Sequence, residues 1–81
     1  MGIYFFHLRN GEDVLLDPEG RRLELASIAA AALSEARSIM SADCHAGKVD
    51  LNQNIDVEDS AGKLIHRISF VDAISFIQPH G

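Results

Sequence analysis

Two histidines are the side chains best suited to chemistry. His7 lies in the run Tyr4-Phe5-Phe6-His7-Leu8, and His66 lies in Leu64-Ile65-His66-Arg67-Ile68. Both runs are apolar or aromatic and read as strands. On neighbouring strands the two imidazoles could ligate one metal ion or share a proton. A closed metal site needs further ligands, and no Cys or His stands at a matching spacing. The commoner arrangement is a histidine packed at a sheet face or edge and hydrogen-bonded to backbone or carboxylate. No metal and no cofactor is therefore expected.

The other constellations also favour ordinary structure. Asp43-Cys44-His45 places a thiol beside a base. Adjacent helical residues point about 100° apart, so the two do not face each other. Cys44 falls four residues after Met40 and is expected to be a buried, inert thiol. Asp50-x-Asn52-x-Asn54 matches the first ligands of a calcium loop, but Ile55 and Ala61 occupy its glycine and glutamate positions. Glu12, Asp13, Asp17, Glu19 and Glu24 form an acidic rim near the first turns. Arg9, Arg21, Arg22 and Arg67 make a small cationic spot only if the hairpins bring them together. Without aromatics stacked beside them they carry little signal for nucleic acid. There is no glycine-rich phosphate loop, Gly-x-Ser-x-Gly turn or Cys-x-x-Cys pair.

Local patterning predicts the elements that position these residues. Ile3 to Arg9 reads as a first strand, Asn10 to Asp13 as a turn, and Val14 to Asp17 as a short second strand. Asp17-Pro18-Glu19-Gly20 suits a type I turn. Arg21 to Leu25 is a third short strand or an extended lead into a helix. Ser27 to about His45 is that helix, with Ile28, Ala32, Leu33, Ala36 and Met40 on its apolar stripe. Ser27 suits its N-cap and Gly47 its stop. Leu51 to Val57 and Lys63 to Phe70 alternate as strands around the turn Asp59-Ser60-Ala61-Gly62. Residues 71–77 fit a terminal strand or a helical turn equally.

The order predicts an α+β fold, ββαββ, with a mainly antiparallel four-stranded sheet and one long amphipathic helix on one face. Phe6 and Ile68 are expected beneath the helix. Ile3, Phe5, Leu15 and Ile65 fall out of phase with that set, so one helix cannot cover both. Either Ile74, Phe76 and Ile77 fold back over the second face, or another chain does.

Eighty-one residues make one domain, 1–81, whose core contributes only about 3–5 kcal/mol of net stability. The net charge of −5 argues against direct nucleic-acid binding and against anionic membranes. No apolar run is long enough to cross a membrane. The single cysteine and the lack of a signal-peptide pattern fit a cytoplasmic protein.

The opening Tyr4-Phe5-Phe6-His7-Leu8-Arg9-Asn10-Gly11 resembles the signature Y-F-F-H-x-R-[ND]-G of a small bacterial family of uncharacterised domains. Leu16-Asp17-x-Glu19-Gly20, Glu35-Ala36-Arg37 and Phe70-Val71-Asp72-Ala73 extend the resemblance along nearly the whole chain. It implies a domain of unknown function and points to no catalytic residue. A weaker similarity is to antitoxins of the HicA/HicB type, through the hairpin, the acidic-Gly segment and the alanine-rich helix.

Three readings follow. The first is a non-enzymatic module that forms a homodimer or docks on a protein partner through Ile3, Phe5, Leu15 and Ile65. The second is an antitoxin-like regulator whose acidic rim meets a basic toxin or an RNA-associated partner. The third is a small enzyme using His7 and His66, with Arg9 as a further functional candidate.

Overall fold

The computed structural model describes the backbone of residues 2–77 and the side chains of residues 2–74. The strands are β1 (Gly2–Asn10), β2 (Asp13–Leu15), β3 (Arg21–Leu23), β4 (Gln53–Asp59) and β5 (Leu64–Ser69). The helices are α1 (Ile28–His45), entered through a short 3₁₀ turn at Leu25–Ser27, and α2 (Phe70–Ile77). The fold is α+β with an antiparallel sheet in the order β2-β1-β4-β5, and β3 also pairs with β1.

The two flanking strands β2 and β3 share one edge of β1. Leu8 pairs with Leu15 and Tyr4 pairs with Arg21. Three residues of β1 therefore face the five-residue segment 16–20, which bulges out of the sheet. Gly20 has φ +74°, and a Cβ there would come within 2.8 Å of Ile3 Cγ2 and 3.0 Å of Phe5 Cε2. Only glycine satisfies both the backbone angle and the close approach.

α1 lies across one face of the sheet because small residues recur where it touches the strands. Ile28, Ala32, Ala36 and Met40 are buried against Phe6, Ile55, Val57 and Ile68, as the periodicity requires. The helix ends at a Schellman motif: Lys48 N–H donates to the Asp43 carbonyl and Gly47 N–H to that of Cys44. Cys44 is exposed, which corrects the expectation of a buried thiol. The buried stripe stops at Met40, so the last turn of α1 runs past its cover.

Residues 71–77 are helical. Phe70 and Ala73 of α2 join the core beside α1, and Ile74 packs against the same cluster. Ile74 thus does not fold over the second face of the sheet; the side chains of Phe76 and Ile77 lie outside the described residues. No described helix is long and apolar enough to cross a membrane.

Candidate functional site

Strand pairing decides which candidates meet. His7 lies opposite Asp56, and Asp56 lies opposite Arg67. Directly opposed residues share a face, so the row His7, Asp56, Arg67 belongs to the side away from α1. His66 lies opposite Val57, which is buried beneath α1. The two histidines therefore occupy opposite faces of strands separated by β4, and the arrangement in which they act together is corrected. His66 instead lines a groove of about 600 Å³ with Ala29, Ala30, Leu33 and Asp72. Among the described residues, no three His, Cys, Asp or Glu side chains gather as a metal site.

Asp17 organises the end of the row at β1. Its Oδ2 accepts the Phe6 N–H, and its Oδ1 accepts those of Glu19 and Gly20. The carboxylate thus stands where a strand carbonyl would, and completes the ladder across the bulge. Burial pushes its pKa up, but the N–H bonds from Phe6, Gly20 and Glu19, with the Arg21 charge, outweigh this and hold it below the usual value. The Asp17 N–H donates to His7 Nδ1 at 3.0 Å. His7 must then carry its proton on Nε2, which faces Glu58 Oε1 at 3.4 Å. The Phe5 ring stacks on the His7 ring at 6.3 Å. The imidazole is held at both nitrogens and against the Phe5 ring, and it bridges the bulge to β4.

Asp56 forms the centre. Its side chain is 3% exposed and carries a charge, which demands partners. Arg67 supplies two, Nε to Oδ1 at 2.6 Å and Nη2 to Oδ2 at 3.0 Å. Arg9 Nε adds a third to Oδ2 at 3.0 Å. The Arg67 hydrogen bond is the main cause holding the Asp56 carboxyl below its ordinary value, burial opposes it, and Arg9 adds to the lowering. Arg67 is raised in turn by the same bond.

The remaining candidates are dispersed. Arg22 pairs with Ile3 on this open face, whereas Arg21 lies on the α1 side over the Phe6 ring and pairs with Glu35. Asp50 accepts from the Asn52 N–H and the Asn10 amide, so the calcium-like stretch is a turn that ties β4 to β1. Within the acidic rim Asp17 turns inward, while Glu12, Asp13, Glu19 and Glu24 remain exposed.

The expected interface set is redistributed. Ile3 and Phe5 share the open face with Val14, which pairs with Arg9. Leu15 pairs with Leu8 and so falls on the α1 side, where it is largely exposed. A bulge between Val57 and Glu58 slips β5 by one residue, so Leu64 rather than Ile65 lies opposite Glu58. Ile65 packs against the core cluster. The alternation of Leu51 to Val57 marks Asp56 only as a residue facing away from Ile55 and Val57. Alternation gives the face of Asp56 but not its register, and the bulge between Val57 and Glu58 hides from local pattern that Arg67 lies opposite it.

These features define an α+β domain with a closed, apolar sheet face and an open face crossed by a braced ionic row. The chain belongs to the family described as a domain of unknown function (DUF6894), which matches residues 3–71 and so spans both Asp17 and the Asp56 centre. No curated protein and no solved structure matches it.

Proposed function

We propose that the chain is one non-enzymatic domain that works by binding, and that its open sheet face docks first on a second copy of itself. One observation carries this reading. No described element covers that face, and Ile3, Val14 and Leu64 stand 43%, 38% and 46% exposed on it beside Phe5. Full burial of such a side chain is worth about 1.5–3 kcal/mol, and each of these still has somewhat under half of that to gain. A two-fold pairing presents the same patch from both copies. The face also bears both signs of charge, Arg9, Arg22 and Arg67 against Glu58, so a copy can pair with it rather than repel it.

The overall charge of −5 weighs against nucleic acid and anionic lipid as partners. The lone, exposed Cys44 fits a reducing cytoplasm. Light scattering over a dilution series tests the reading. A dimer mass that falls to monomer in an Ile3→Asp, Leu64→Asp double variant supports it. A monomer mass that persists at high concentration sinks it.

A further inference from the structure

The fold leaves part of the ionic row unused. The Asp56 carboxylate is buried and accepts three N–H bonds from two guanidiniums, so the trio keeps one net positive charge. Arg9 gives only Nε–H to Asp56, and its two Nη groups have no acceptor among the described residues. Arg67 gives Nε and one Nη2 proton, and its Nη1 is likewise left over. The two side chains are 41% and 52% exposed, so these donors are within reach of solvent. Both guanidiniums reach the same oxygen, Oδ2, at 3.0 Å and are therefore neighbours. Asn54 pairs with Arg9 and with Ser69, which sets a polar row alongside.

We propose that Arg9 and Arg67, held by Asp56, form a binding site for the phosphate group of a small molecule. Arginine forks match oxyanions through paired N–H bonds. A planar carboxylate has two oxygens and saturates one fork. A phosphate has three peripheral oxygens in different directions and can engage two forks together. Asp56 matters because it holds both guanidiniums before the ligand arrives, which reduces the ordering cost of binding. The acidic rim and Glu58 oppose an anion, so binding is weak and falls with salt. Arg9 and Arg67 lie on the face proposed above to meet a second copy, so phosphate and self-association compete for them. The titration is therefore run at a concentration where light scattering on the same samples reports a monomer, and its outcome then stands apart from whether a dimer forms at higher concentration.

The test follows the side-chain Nε–H signals of the five arginines by NMR in the full chain. Inorganic phosphate and acetate are titrated at constant pH and constant ionic strength, with chloride as control. The Arg9 and Arg67 signals should move saturably with phosphate, while those of Arg22 and Arg37 stay. Acetate should need about tenfold more, and Arg9→Gln should raise the half-saturating phosphate concentration about tenfold, the equivalent of one charged hydrogen bond. Arg67→Lys keeps the charge beside Asp56 but removes the fork, and should weaken binding similarly if Arg9→Gln does not fold. Three outcomes overturn the proposal: no saturable shift with phosphate, equal movement of all five arginines, or acetate binding as tightly as phosphate.

Discussion

On one face of the sheet Phe6, Ile55, Val57 and Ile68 lie under α1. One residue along each strand, His7, Asp56 and Arg67 form a polar row on the other face. The same strands build both, because successive side chains point to opposite sides. The closed face is held by apolar area removed from water, which is non-directional. The open face is held by geometry: a buried carboxylate with three N–H bonds, and an imidazole fixed at both nitrogens. Ionic bracing holds in register a sheet face that no described element covers.

The comparison breaks most visibly at Phe6. Phe6→Ala removes the aromatic body of the closed face and should cost about 3–5 kcal/mol. That rivals the whole stability of so small a domain, so urea denaturation should find the variant largely unfolded at 37 °C. An unchanged midpoint would contradict the core assignment.

Asp17→Ala should come next, at about 2–3 kcal/mol, because the half-buried Phe6 N–H loses its acceptor and the segment 16–20 loses its internal bonds. Hydrogen exchange would localise the effect. The Phe6 amide should lose protection before the amides of β4 do.

Asp56→Asn should cost about 1–3 kcal/mol at pH 7. That is less than a fully buried pair, because both arginines keep contact with water. The pH dependence follows from the lowered carboxyls. Asp17 and Asp56 are both depressed in the folded chain, so the stability they add is fully present above the ordinary aspartate value of about 4. It is lost as pH falls through their lower folded values. Acid titration of the denaturation midpoint should therefore be flat near neutrality and steep below about pH 4. The Asp56→Asn variant should have a shallower acid limb.

The smallest effect belongs to the exposed part of the open face. Ile3→Asp should change monomer stability by no more than about 0.5 kcal/mol. It touches no hydrogen-bond partner of the ionic row and leaves the closed core intact. Calorimetry at low concentration, where any dimer is dissociated, isolates that value. A loss comparable to Asp17→Ala would mean that the open face is a second core.

Much of the closed face was legible without coordinates. Ile28, Ala32, Ala36 and Met40 are spaced at four, and Phe6 and Ile68 sit in alternating runs, so local periodicity alone marks them as buried. The turn at Asp59-Ser60-Ala61-Gly62 and the stop at Gly47 were legible for the same reason, whereas Asp17-Pro18-Glu19-Gly20 bends the chain with the Gly20 N–H on the Asp17 side chain rather than as the type I turn expected. The open face was less so. Leu15 and Val14 exchange faces according to the register against β1, and Leu64 and Ile65 according to a bulge. A one-residue slip reverses every side chain, and nothing local to a short strand fixes it.

By itself, then, the sequence determined the first strand, the long helix, the closing hairpin and the residues beneath that helix, because those depend on spacing within a few residues; it left Arg21–Leu23 and residues 71–77 open, and the structure made them β3 and part of α2. The tertiary structure alone decided that Arg9 and Arg67 share Asp56, that His7 is braced by Asp17 and Glu58, and that His66 belongs to the other side. Those partners lie 10 to 51 residues apart in pairs such as His7 with Asp17 and His7 with Glu58. The Arg9–Asp56 and His7–Glu58 contacts exist only because β1 pairs with β4, and no local pattern in either strand fixes that pairing.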